Sequence, residues 1–151
     1  MNLFFDTSAL VKFFHEEDGT DRVTEWITFQ DNEIWISEIA RLEFMSAIHR
    51  RFRNGEIEEV RLEEAIAAFE EQMTLFNVEP LAHSVIKESE RLLREYGKTH
   101  GLRTLDALHL GTYSMIYDED WVFVVSDENL YKVAELMSFK AINPLKHENI
   151  G

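Results

Sequence analysis

Cysteine is absent from the 151 residues. That excludes disulfides, zinc–thiolate centres and thiol nucleophiles, and it fits a reducing cytoplasm without requiring one. Apolar runs long enough to span a bilayer are missing too. The opening MNLFFDTSALVKFF has no basic leader and is broken by Asp6 and Lys12, so neither a membrane span nor a signal peptide is expected. Positive charge is scarce: 15 Lys and Arg stand against 29 Asp and Glu, a net charge of −14. This argues against a protein that coats nucleic acid by broad phosphate neutralisation. It favours solubility, a basic partner, or a site that gathers carboxylates around a cation. No G-x-G-x-x-G follows the first apolar run, which removes a dinucleotide-binding Rossmann domain. Repeats, low-complexity tracts and linkers are also lacking.

What remains is an ordinary globular composition, 45% hydrophobic, in a chain long enough for one domain with a substantial core. Residues 1–151 are expected to form that single domain, with its core over about 2–143. The few basic residues are clustered. HRRFR at 49–53 contributes Arg50, Arg51 and Arg53, and Lys98, His100 and Arg103 make a looser group.

Periodicity and caps predict a strand at 2–6, a short helix from Thr7 to His15, a helix capped by Thr20 or Asp21 and running to about Phe29, and a strand at 33–37. A long helix capped by Ser37 should end at Asn54-Gly55, its last turn basic where the helix dipole favours cations. A Glu-rich amphipathic helix at 56–75, an extended piece at 77–81 and a helix at 82–96 stopping at Gly97 follow. Thr104 should cap the next helix, WVFVVS (121–126) reads as a buried strand, NLYKVAELM as a helix, and KAINP as an edge strand because Pro144 cannot donate to a ladder. Strands separated by helices imply parallel pairing with helices on both faces. The expected fold is therefore a single three-layer α/β/α domain around a central, mainly parallel sheet.

In such a sheet, ligands bind beyond the carboxyl ends of the strands. Asp6 ends the first strand and Asp127 follows the 121–126 strand, so both belong on that rim. Asp106, in the first turn of its helix, and Glu43, early in the helix leaving the 33–37 strand, can face it too. Each has a plainer reading: Asp6 and Asp127 as N-caps, Asp106 as a first-turn acid, Glu43 as a solvated partner of Arg41 or Arg50. Four converging carboxylates repel, and burial raises their pKa values unless a divalent cation supplies positive charge. All-oxygen ligation would select Mg²⁺ or Mn²⁺ over zinc, and such an ion can promote phosphodiester hydrolysis. From the residues alone, both readings stand.

The segments LFFDTSALVKFF, ISEIARLEFMSAIHRR, LRTLDALHLGTY and VFVVSDENLYKVAE resemble, in order, the four sequence blocks of PIN-domain proteins, and most closely those of VapC-like ribonuclease toxins. The resemblance runs from near residue 2 to about 143. It implies that Asp6, Glu43, Asp106 and Asp127 are the four acids that gather Mg²⁺ or Mn²⁺ for RNA hydrolysis, Asp6 and Asp106 most directly. It also implies an RNA substrate and an antitoxin partner. A homodimer and a cytoplasmic protein with no membrane association are expected as well, the apolar face of the 56–75 helix (Ile57, Val60, Ala65, Ile66, Phe69, Met73) being a candidate dimer or antitoxin groove weighed against plain core packing. Ser8 holds the small-hydroxyl position of the first block, where it is expected to bond a carboxylate or a water, while Thr7 is expected to cap the helix. Many relatives carry Thr two residues before the fourth acid. This chain has Val125 there and a displaced hydroxyl at Ser126.

Arg50, Arg51, Arg53 and Arg103 are the expected RNA-phosphate contacts, weighed against a plain helix-end role for the 49–53 cluster. His109 is expected to be a core or pore-lining histidine, and Phe4, Phe5, Phe13, Phe14, Phe44 and Phe123 core residues rather than base-stacking platforms. A dehalogenase-type phosphatase is rejected because Ser8 stands where its second Asp belongs. The rival retained is a catalytically inactive PIN-like binding or scaffold module.

Overall fold

The computed structural model describes residues 1–146; residues 147–151 of the expected domain lie outside the described part. Strand Asn2–Phe5 (β1) leads into helices Thr7–Phe14 (α1) and Thr20–Thr28 (α2), strand Glu33–Ser37 (β2), and helices Ala40–Arg53 (α3) and Glu59–Gln72 (α4). Strand Asn77–Glu79 (β3), helices His83–His100 (α5) and Thr104–Ile116 (α6), strand Val122–Val124 (β4), helix Glu128–Leu136 (α7) and strand Ala141–Ile142 (β5) follow. This is the element order the periodicity predicts.

All the strand pairs are parallel, in the order β3-β2-β1-β4-β5. β1 is central, with Phe4 in register with Trp35 on one side and Phe123 on the other. The chain builds one half of the sheet outward from β1 to β3, then crosses back to lay β4 and β5 on the other flank. The crevice of a doubly wound sheet forms where that direction reverses, here beyond the carboxyl ends of β1 and β4.

Side chains alternate across a strand, so each strand feeds two cores. Leu3, Phe5, Ile34, Ile36, Val122 and Val124 pack with α1 to α4 on one face. Phe4, Phe123 and Val125 pack with α5 to α7 on the other. This is the three-layer arrangement expected. Phe14, Phe44 and Phe69 tie α1, α3 and α4 together, the rings of Phe44 and Phe69 stacked 4.0 Å apart. Phe13 is half-buried against the same cluster, and the other expected core aromatics are buried. The α5–α6 pair approaches closely because Gly111 faces Ser89: a Cβ on Gly111 would lie 2.6 Å from Ser89 Oγ, which donates to Ala107 O. Among the described residues, no helix is long and apolar enough to cross a membrane.

Four boundaries differ from expectation. Neither Thr20 nor Asp21 caps α2: both lie in the helix, and Gly19 is its N-cap with φ of +90°, a conformation open to glycine. Ser37 does not cap α3. It is buried in β2, in register with Glu79, and a turn carries the chain to Ile39 before the helix begins at Ala40. Gly97 does not stop α5, which continues to His100 and ends at Gly101, where φ is +63°. A mid-helix glycine costs only about 1 kcal/mol, which tertiary packing overrides. Thr104 is the first residue of α6 and Arg103 its N-cap.

Candidate active site

Asp6 is placed by the sheet itself. Its backbone N–H donates to Val124 O at 2.9 Å, extending the β1–β4 ladder by one residue. Its side chain caps α1, Oδ2 accepting from Ser8 N at 3.0 Å, and is almost fully buried. Asp127 has the same double role at the neighbouring strand: it caps α7, with Oδ1 accepting from Leu130 N at 2.8 Å. Both acids are thus helix caps and rim residues at once, because in this fold the strand end and the helix start are the same place.

Ser8 joins these two segments. Its Oγ accepts from the backbone N–H groups of Ser126 (3.0 Å) and Asp127 (3.2 Å) and so anchors the strand end; among the described residues it is the Ser8 amide, not this hydroxyl, that meets a carboxylate. Ser126 Oγ is buried without a hydrogen-bond partner among the described residues. Ser126 is absent from the cavity wall.

Asp106 reaches the crevice from the first turn of α6 and Glu43 from the first turn of α3. Burial, with Asp6 and then Asp127 nearby, pushes the Asp106 carboxyl above the usual range, against the opposing pull of Arg103. Burial would raise Glu43 as well. There the hydrogen bond and charge of His109, helped by Thr7, outweigh it and hold the carboxyl below its ordinary value.

His109 is fully buried on α6, with Nε2 paired to Glu43 Oε1, 3.2 Å from Thr7 Oγ1 and 3.6 Å from Asp6 Oδ1. Desolvation favours the neutral ring, but Asp6, Glu43 and Asp106 overcome it and raise the histidine pKa. His109 is a core residue, as expected, yet it is wired to the acids. Thr7 is not the cap of α1; Asp6 is. The Thr7 hydroxyl donates to Glu43 Oε1 at 3.0 Å instead. Its position beside Asp6 was the available signal, since a residue one step inside an Asp-capped helix is free to turn its side chain elsewhere.

The four acids line one cavity of about 840 Å³, together with Thr7, Ser8, Arg50, Arg51 and Arg103. Arg53 is not on its wall. Arg51 is there but committed: its guanidinium meets Glu17 at 3.2 Å, and Glu17 also holds the buried Lys12 at 3.1 Å. Arg103, whose side chain is 73% exposed, spans the mouth, with Nε 3.3 Å from Asp106 Oδ2 and one terminal nitrogen 3.7 Å from Asp127 Oδ2. Leu42 and Leu105 flank the opening, both exposed.

Among the described residues, no three acidic or imidazole side chains are grouped as a ready metal cage. Instead the acids are engaged with protein partners: Glu43 with His109 and Thr7, Asp106 and Asp127 with Arg103, Asp6 with the Ser8 amide. The donor chemistry nonetheless fits a hard divalent cation. It is all carboxylate oxygen, it faces one cavity, and at Asp106 burial and the neighbouring Asp6 raise the proton affinity in spite of Arg103.

A family model described as the PIN domain matches residues 3–136. The chain is 27% identical over 145 residues to Ribonuclease VapC47 of Mycobacterium tuberculosis (strain CDC 1551 / Oshkosh), covering 94% of this chain and 96% of that one. Among solved structures it is similar to FitAB bound to an IR36 DNA fragment, with a TM-score of 0.70 and 16% identity over 99% of each chain. It is also similar to a toxin–antitoxin complex from Klebsiella pneumoniae, with a TM-score of 0.60 and 17% identity over 94% of this chain and 97% of that one. At these identities the structural likeness is one of fold.

Proposed function

Because the chain belongs to the PIN domain family, we propose that it is an endoribonuclease that hydrolyses RNA phosphodiester bonds with Mg²⁺ or Mn²⁺, and that it is the toxin of a toxin–antitoxin pair. One observation carries the catalytic reading: four acids from four separate segments line a single cavity at the switch point of the sheet.

Asp6, Asp106 and Asp127 would hold the ion, with Glu43 completing the set. When bound, it would place positive charge against the phosphate oxygens and make the attacking hydroxide easier to form. The remaining work falls to the chain. His109 and Thr7 orient the Glu43 carboxylate, and Ser8 holds the backbone that presents Asp127. Arg50 lines the same cavity from α3 while Arg103 lines it from the start of α6, which supports an RNA backbone held near the acids by cations from two separate elements. Arg51 is withdrawn from that role by Glu17.

The antitoxin reading is supported by the VapC relative, by the acidic cavity and by the exposed Leu42 and Leu105 at its mouth. A partner presenting basic and apolar side chains together would complement that surface.

The test begins with calorimetric titration of Mn²⁺ into the wild type, Asp6→Asn and Asp106→Asn, followed by cleavage of a mixed RNA pool with and without EDTA. Saturable binding weakened in both variants, with EDTA-sensitive cleavage lost in both, is the expected result. Ions of this kind often keep substrate phosphates among their ligands, so the titration is repeated with a non-cleavable oligonucleotide. Binding indifferent to both substitutions in either format would return the chain to an inactive binding module.

A further inference from the structure

We infer that Arg103 is a tethered counter-cation of the acidic rim, which occupies the mouth between Asp106 and Asp127 and must swing out when a divalent ion enters. This rests on the metal-site reading above and adds to it a competitor built into the chain.

The geometry separates two kinds of charge compensation. Glu43 is compensated from below by His109, which is fully buried and fixed in α6. Asp106 and Asp127 are compensated from the solvent side by Arg103, whose guanidinium bridges acids belonging to the α6 first turn and the β4–α7 junction. The carboxylates are the sheltered partners, 14% and 32% exposed, and the arginine is the open one at 73%. An ion arriving from the cavity mouth therefore meets Arg103 before it meets the acids that would hold it. Pairs this exposed are weak and screened by salt, so Arg103 can leave at little cost. Its N-cap position anchors the backbone at the start of α6 while the side chain stays free of any packed layer. Once displaced, the guanidinium remains at the rim with its planar donor set unpaired, placed to meet a phosphate. The same residue thus opposes metal loading in the resting protein and serves RNA binding in the loaded one.

The measurement is calorimetric Mn²⁺ titration of the wild type, Arg103→Ala, Arg103→Lys and Asp106→Asn at about 50 and 300 mM salt, with a phosphodiester RNA mimic added in a second series. Arg103→Ala is expected to bind Mn²⁺ roughly three- to tenfold more tightly than the wild type, with the gap narrowing at the higher salt. It should also bind the mimic more weakly when Mn²⁺ is saturating. Arg103→Lys should stay near the wild type in Mn²⁺ affinity, because the charge remains. Equal or weaker Mn²⁺ binding by Arg103→Ala, while Asp106→Asn still abolishes it, would overturn the competition and make Arg103 a residue that positions the acids. If no protein binds Mn²⁺ and Asp106→Asn changes nothing, the metal-site reading falls and the present inference falls with it.

Discussion

Replacing His109 with leucine removes one partner of a compensated pair and leaves the other in place. The imidazole is fully buried against Glu43, whose side chain is 22% exposed, and stands 3.6 Å from Asp6. Stranding a charge in a buried pair costs roughly 3–5 kcal/mol. Glu43 keeps the Thr7 hydrogen bond and some solvent, so the cost here should be about 2–4 kcal/mol. In a domain of this size that lowers Tm by about 4–16 °C. The assay is thermal and urea unfolding in EDTA from pH 4 to pH 10, comparing the wild type, His109→Leu, Glu43→Gln and the double variant.

The pH dependence has a definite sign. His109 is raised from its ordinary 6.5, so its contribution is complete below that value and is lost as pH rises through the higher folded-state pKa. Glu43 is lowered from 4.5, so its contribution is present above that value and fades as pH falls through the lower folded-state pKa. The wild-type advantage should therefore be greatest between about 4.5 and 6.5 and shrink on the alkaline side. His109 Nδ1 has no partner among the described residues, so the protonated ring carries an unpaired donor, which lowers the cost of losing its proton. The double variant should recover roughly 1–2 kcal/mol of the single-variant loss. A His109→Leu protein as stable as the wild type, or a deficit that is flat with pH and not relieved by Glu43→Gln, would refute the coupling.

Asp106 is raised by burial and neighbouring acids, so its ionised form weakens the metal-free fold; Asp106→Asn should gain about 0.5–2 kcal/mol near neutral pH by thermal unfolding in EDTA while losing Mn²⁺ binding. Gly111→Ala sets a methyl 2.6 Å from Ser89 Oγ and should destabilise by about 1–3 kcal/mol in urea, with Ser89→Ala on top restoring part of it. Arg50→Ala should weaken binding of a non-cleavable RNA and reduce its salt slope by about one phosphate contact, whereas Arg53→Ala, off the cavity wall, should leave both nearly unchanged.

Much of this architecture follows from local rules. The continuous apolar runs LFF and WVFV mark strands buried on both faces, and the three- and four-residue spacing after Ile39 marks a helix. The strand-end positions of Asp6 and Asp127 place both acids on one rim, since parallel strands align their carboxyl ends. Element boundaries were less legible. Gly97 reads locally as a stop, and Ser37 as a cap, until the packing of α5 and the register with Glu79 override them.

The sequence by itself determined the alternation of strands and helices, from which parallel pairing follows, and the strand-end positions of Asp6 and Asp127, because these depend on periodicity and on the order of elements along the chain. Only the tertiary structure decided which groups restrain those acids. Thr7 meets His109 across 102 positions, Ser8 meets Asp127 across 119, and Arg103 reaches from α6 to the β4–α7 junction. Hydrogen bonds and ion pairs act over about 3–4 Å. Whether two distant residues fall within that range depends on how helices seat against the sheet, which no local pattern encodes.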